Sequence, residues 1–252
     1  MKVAFQLAMP VASFALAIAP AVAVVICPTG GLHFLGWFEG ARIAEWFAAH
    51  GFAAFVLKYR VVPTASDPAQ FEQESARFFR EFSQAIAMNK RPRSLEEMLP
   101  DAASTHVRKL AQADARQAVN YVRSHAAEWE ISPDRIGMLG VSAGAFLVTD
   151  VIMANDSASR LDFAVLISGG ETDQRQIPTT APPLFIAVAQ DDRWMSGLEV
   201  AVFTKWDHAG LPVEFHYFGR GGHGFEIDPS NPWMSLLGRW LASRHLMGTF
   251  HE

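Results

Sequence analysis

The chain has 252 residues, of which 50% are hydrophobic, 12% aromatic and 19% charged. That is enough apolar material for one large α/β domain and too much for a disordered chain. The single cysteine, Cys27, excludes an intrachain disulfide, a cysteine-based zinc site and a CxxC redox pair. A formal net charge of −5 gives no basic footprint for a nucleic-acid backbone, so no nucleic-acid partner is expected.

At the N-terminus, Met1 and Lys2 lead into a nearly uncharged apolar stretch from Val3 to Ile26. The positive start, the apolar run and the small residues Ala17, Ala19 and Ala23 have the composition of a secretory signal, which would make the protein secreted or periplasmic. Gln6, Pro10, Ser13 and Pro20 interrupt the run. On that ground residues 1 to 20 are expected to be structural and the protein cytoplasmic. Pro10 and Pro20 would also break a membrane-spanning helix, so no stable membrane insertion is expected.

From residue 21 onward, short apolar β-rich runs alternate with turns and amphipathic helices, the pattern of a mainly parallel sheet flanked by helices. Strands are expected at Ala21–Cys27, Gly51–Tyr59, Arg135–Leu139, Phe163–Ser168, Leu184–Ala189 and Val213–Phe218. Helices fit between and after them at Glu39–His50, Thr105–Trp129, Ala143–Ala154, Leu198–Ala209 and Trp233–Arg244. With no repeat or linker in the sequence, residues 1–252 read as a single domain. Residues 62–106 break the alternation: they show no strand signal, and Phe71, Phe78, Phe79 and Phe82 fall at helical spacing on one stripe. This segment is expected to be a helical cap whose phenylalanines pack onto the body, wall the substrate pocket, or do both.

Four short elements carry chemistry, each at the C-terminal end of an expected strand, where open parallel sheets place their sites. Gly140-Val141-Ser142-Ala143-Gly144 matches GxSxG between a strand and a helix, the arrangement that exposes a serine nucleophile on a sharp turn. Cys27-Pro28-Thr29-Gly30-Gly31 follows the first strand, and its glycines allow backbone N–H groups to approach a developing oxyanion. His223 is the only one of nine histidines set among glycines in a loop at a strand end, where a general base could reach the serine. Asp191 and Asp192 follow the strand Leu184–Ala189, and an acid there would orient the imidazole; spacing does not choose between them. Trp37, Trp194 and the cap phenylalanines suggest an apolar substrate-binding wall.

These motifs resemble the α/β-hydrolase superfamily, and within it the small-ester carboxylesterases grouped with acetyl-xylan and feruloyl esterases, neighbours of the hormone-sensitive-lipase-like enzymes. The resemblance runs from about Val24 to Ala242 apart from the insertion, and rests on VVICPTGG, AEWFAAHGFAAFVLKYR, DARQAVNYVRSHAAEWEISPDRIGMLGVSAG and LPVEFHYFGRGGHGF. It implies the α/β-hydrolase fold, with Ser142 as nucleophile, His223 as base, Asp191 in preference to Asp192 as acid, and Gly30, Gly31 and Ala143 as oxyanion donors. The implied reaction is hydrolysis of a short- to medium-chain, aryl or sugar-linked carboxylic ester through an acyl-enzyme. No metal or organic cofactor and no partner beyond a small-molecule ester are implied, and the oligomeric state is left open. The sequence departs from the family pattern at Thr29, which stands where a first glycine is usual, and at Leu32, which replaces a common tyrosine. The alternatives are a serine peptidase-like hydrolase and an idle binding module. Related peptidases usually carry a large gating domain for which 252 residues leave no room, and an idle module would be expected to lack a triad residue.

Overall fold

The computed structural model describes residues 21–87, 97, 102–172 and 176–250. The expectation for residues 1–20, and the part of the expected cap at residues 88–96 and 98–101, lie outside the described residues.

All six expected strands form one sheet: β1 (Ala21–Cys27), β2 (Ala53–Val56), β3 (Ile131–Val141), β4 (Phe163–Ile167), β5 (Leu184–Ala189) and β6 (Val213–Phe218). Their order is β2-β1-β3-β4-β5-β6, and every neighbouring pair is parallel. The second strand is shorter than its apolar run because Gly51, at φ 84°, still belongs to the preceding turn. The third is longer than expected, since Pro133 and Asp134 read as a turn in sequence. Ile131 nonetheless pairs with Ala21, and the intervening residues are absorbed by a register shift before Ile136 pairs with Ala23.

The helices are α1 (Trp37–Ala49), α2 (Pro68–Ala87), α3 (Ala102–Ser124), α4 (Ala143–Ala154), α5 (Ser196–His208) and α6 (Trp233–Ser243). Strand alternation sends neighbouring residues of β1 to opposite faces. Ala23, Val25 and Cys27 join a core with Ala111 and Val119 of α3, Val148 of α4 and Trp206 of α5. Val22, Val24 and Ile26 pack with Ile43 and Phe47 of α1 and with Leu237 and Trp240 of α6. A strand buried on both faces needs the near-continuous apolar sequence seen at AVAVVIC. Among the described residues no helix is long and apolar enough to cross a membrane.

The insertion contributes α2, whose phenylalanines do not all turn inward as a single packing stripe. The Phe78 ring packs against His33 and Phe34 at centroid distances of 4.7 and 5.6 Å. Phe71 and Phe79 remain 39% and 51% exposed, so only part of the aromatic face is used for packing. The side chain of Phe82 lies outside the described residues.

Two polar ties fix the segment after β2, next to the loop leaving β1. The buried Tyr59 hydroxyl donates to the Pro28 carbonyl at 2.6 Å. Arg60 donates through Nε and Nη2 to both oxygens of Asp114 on α3, a two-pronged contact that point charges cannot reproduce. Tyr59→Phe leaves the Pro28 carbonyl without this donor in a buried setting, so the variant is expected to lose about 1–3 kcal/mol of stability. Urea unfolding with a lower midpoint and an unchanged slope would show this; an unchanged midpoint would mean that the hydroxyl contributes nothing net.

Candidate active site

The site lies where the loops leaving β1, β3, β5 and β6 meet. Cys27 of β1 pairs with Gly140 of β3, so the segment after β1 and the turn after β3 start side by side. At that turn Ser142 has φ 51° and ψ −118°, a backbone conformation that L residues rarely adopt and that costs about 1–3 kcal/mol. Its N–H donates to the Ile167 carbonyl at 2.8 Å, and its own carbonyl accepts from Ala145 at 2.9 Å. The flanking glycines are required by contact. A Cβ on Gly140 would lie 2.3 Å from the Gly144 carbonyl oxygen, and one on Gly144 would lie 2.0 Å from that of Cys27. Any side chain at either position would therefore push the serine turn away from the strand beside it.

From this turn the Ser142 hydroxyl reaches Nε2 of His223 at 2.9 Å. His223 Nδ1 lies 2.7 Å from Asp192 Oδ2. Asp192 is buried, and its other carboxylate oxygen accepts the Met195 N–H at 3.3 Å. Serine, imidazole and carboxylate thus form one continuous hydrogen-bonded chain.

The aspartate in that chain is Asp192, whereas the resemblance favoured Asp191. The turn after β5 sends the two side chains in different directions. Asp191 is exposed and accepts the N–H groups of Gly221 and Gly222 at 3.3 and 2.8 Å. It holds the backbone of the histidine loop, while Asp192 meets the ring. Gly221 and Gly222 have φ 138° and 63°, which turns both N–H groups toward Asp191.

The oxyanion candidates come from two segments in contact. A Cβ on Gly144 would also lie 2.8 Å from the Pro28 carbonyl oxygen, so the start of α4, with Ala143, rests on the backbone that leads to Gly30 and Gly31. The Gly30 carbonyl accepts from His33 and Phe34 at 3.0 and 3.1 Å, closing a tight turn. Thr29, one departure from the family pattern, places its methyl group against Gly36, and Leu32, the other, is fully buried in the core at φ 65°. The Phe78 ring of the cap sits over Gly31, where a Cβ would meet it at 2.4 Å.

The two tryptophans expected on the substrate wall differ. Trp37 is 44% exposed at the start of α1. Trp194 is buried in a small apolar cluster with Phe146, Val188, Met195 and Leu198, a packing position.

Three glutamates that the motifs did not point to lie in this region: Glu39 and Glu226 interact with His223, and Glu199 interacts with Asp192 and Glu226. Burial raises the Glu39 carboxyl to about 8; Glu226 adds to the rise, and His223 and the Thr29 backbone N–H oppose it. Its Oε1 is buried without a hydrogen bond. Glu199 is completely buried on α5, with only a loose contact from the Gly169 N–H, and its pKa lies well above the ordinary carboxylate range because of that burial. Glu226 is raised chiefly by burial as well, although its own backbone N–H, His223 and the Ser168 hydroxyl favour its charged form. For His223, burial alone would lower the imidazole pKa. The hydrogen bond and charge of Asp192, with Glu226 and Glu39, outweigh burial and raise it. Glu226 could have been suspected from its place three residues after His223, but nothing in the spacing of Glu39 or Glu199 marks them. Among the described residues no group of three or more His, Cys, Asp or Glu side chains has the geometry to hold a metal ion.

A family model described as BD-FAE matches residues 103–181, the stretch that holds α3, β3, the Ser142 turn, α4 and β4. No curated protein matches the sequence. Among solved structures, the chain is similar to the acetyl ester-xyloside bifunctional hydrolase from Caldicellulosiruptor lactoaceticus, with TM-score 0.65 and 19% identity over 92% of this chain and 86% of that one. MGS-M1, an alpha/beta hydrolase enzyme from a Medee basin deep-sea metagenome library, matches with TM-score 0.63 and 24% identity over 88% and 84%. Esterase 2 of Thermogutta terrifontis matches with TM-score 0.67 and 18% identity over 98% and 90%. The chain has the α/β-hydrolase fold. In that fold sites sit at the ends of the parallel strands, and that is where the loops with Ser142, Asp192 and His223 lie here.

A carboxyl whose folded pKa is raised binds more protons in the folded than in the unfolded protein between its two pKa values, so stability falls as pH rises through that window. For Glu39 the window runs from 4.5 to about 8. Glu39→Gln, which keeps a neutral side chain of the same length, is expected to remove part of this slope and to gain on the order of 2 kcal/mol over wild type above pH 8. Melting temperatures of both proteins from pH 5 to pH 9 test this, and parallel curves would show that Glu39 does not titrate in that range.

Proposed function

We propose that the protein is a serine carboxylic-ester hydrolase acting through an acyl-enzyme, on short- to medium-chain or on aryl- or sugar-linked esters. The observation that carries this reading is the hydrogen-bonded chain from Ser142 through His223 to Asp192, with its serine on a strained strand-to-helix turn. In the proposed reaction His223 Nε2 takes the Ser142 proton as Oγ attacks the ester carbonyl, and Asp192 stabilises the imidazolium that forms. Backbone N–H groups of Gly30, Gly31 and Ala143 hold the oxyanion of the tetrahedral intermediate. The imidazolium returns its proton to the departing alcohol. Water, activated by the same imidazole, then releases the acid and restores Ser142. The Phe78 ring over Gly31, with Phe34 packed against it, supports an uncharged acyl or aryl group, and the esterase and hydrolase neighbours support ester chemistry.

Hydrolysis of p-nitrophenyl esters with acyl chains of two to twelve carbons, comparing wild type with Ser142→Ala, tests the reading. Turnover that disappears in the variant is expected; a folded wild type inactive on every chain length and on feruloyl and sugar acetates would favour the binding-module alternative.

The two aspartates separate in kinetics. Asp192→Asn is expected to lower kcat by roughly 10⁴-fold, because the imidazole loses its orienting anion. Asp191→Asn removes charge-assisted bonds to the Gly221 and Gly222 N–H groups only, and a loss of about tenfold or less is expected. The reverse ranking would reassign the acid.

A further inference from the structure

We propose that Glu226 is a positioning residue for His223, fastening the loop that carries the imidazole to the strand end that supports Ser142; this rests on the serine-hydrolase reading above. Glu226 follows His223 by three residues and lies in a short 3₁₀ turn, Phe225–Ile227. Its Oε2 accepts from the Ser168 hydroxyl at 3.3 Å. On its backbone side, the Trp233 indole N–H of α6 donates to the Glu226 carbonyl at 3.1 Å. The side chain is therefore held toward β4 while its backbone is anchored on α6.

Ser168 is the partner that gives this contact its meaning. It is fully buried with φ 51°, and its N–H donates to the Ala187 carbonyl of β5 at 3.1 Å. The residues on either side of it both touch Ser142. The Ile167 carbonyl accepts the Ser142 N–H at 2.8 Å, and Gly169 lies so close that a Cβ there would be 2.5 Å from the Ser142 carbonyl oxygen. Glu226 thus links the histidine loop to the serine turn by a path independent of the imidazole–hydroxyl bond. Small displacements of either loop would otherwise change the geometry of proton transfer, which is sensitive to fractions of an ångström.

The charges around the pair point the same way. Glu226 interacts with His223 on its own loop, Ser168 at the end of β4, Asp192 after β5, Glu39 on α1 and Glu199 on α5. Burial favours the neutral form of both Glu39 and Glu199. Asp192 and Glu226 both favour the imidazolium that forms when Ser142 is deprotonated.

The test compares wild type, Glu226→Gln, Glu226→Asp and Ser168→Ala by the pH profile of kcat on p-nitrophenyl acetate, by the NMR titration of the His223 imidazole, and by melting temperature. Glu226→Gln is expected to lower the His223 pKa by about half a unit to one unit and kcat by about three- to tenfold with KM nearly unchanged. Glu226→Asp is expected to recover part of both losses. An imidazole titration and a kcat profile left at their wild-type positions in Glu226→Gln would overturn the proposal, whatever the melting temperature does. If that variant does not fold, Ser168→Ala carries the test: a lower kcat at unchanged KM supports the tie, and an unchanged kcat removes it. Should no ester be hydrolysed by wild type while the His223 titration still moves in Glu226→Gln, the hydrolase reading fails and the positioning stands; active wild type with both the titration and the kcat profile unmoved means the opposite.

Discussion

The contact on which the rest of the site depends is between backbones: Gly144 against the carbonyls of Cys27 and Pro28, and Gly140 against that of Gly144. These approaches leave no room for a side chain, so they tie the start of α4 to the end of β1 and fix Ser142 at a positive φ between them. β1 and β3 are neighbouring interior strands of the sheet. Both strands are covered on two faces, and a turn braced between two buried strands resists the relaxation that would release its strain. Ile167 and Gly169 brace the turn from β4, so three adjacent strand ends converge on one residue.

Electrostatics adds a second constraint to this steric one. Every charged group that shifts the His223 imidazole is an acid. Four ionised carboxylates in one largely enclosed volume would repel strongly, and burial eases the conflict by favouring the neutral forms of Glu39, Glu199 and Glu226. The imidazole is then raised by the hydrogen bond and charge of Asp192 and by more distant acids, against the desolvation that alone would depress it. A base in such a setting gains driving force for taking a proton, at the cost of being protonated itself over a wider acidic range.

The fold was legible in the sequence because buried parallel strands must be apolar on both faces, and AVAVVIC, FAVLI and LFIAVA have no other comfortable environment. The ends of elements were less so. Pro133 and Asp134 read as a turn, yet they lie in a strand that a register shift allows to continue. The serine turn, the histidine loop and the glycine pair after β1 were visible because each needs glycine for a steric reason. The choice between Asp191 and Asp192 was not visible, since adjacent residues on a turn differ only in where the backbone points them. Both proved to serve the same loop, one through Gly221 and Gly222 and the other through the imidazole. Glu39, Glu199 and Glu226 escaped notice because a buried acid carries no signature in spacing; their meaning comes from helices and loops distant in sequence.

The cap differs from the sheet in how it meets this centre. The strand ends hold Ser142, His223 and Asp192 through short backbone contacts, whereas α2 touches the region through aromatic rings, Phe78 on Gly31, His33 and Phe34, and Phe79 on Phe34. Ring contacts of this kind are less directional than hydrogen bonds and tolerate sliding. Because Phe78 rests on Gly31, a shift of α2 is felt at the segment proposed to bind the oxyanion, so the cap and that segment are mechanically joined. Under the proposed hydrolase function, substitutions on α2 would then act on the choice of substrate, while the hydrogen-bonded chain of Ser142, His223 and Asp192 stays with the sheet.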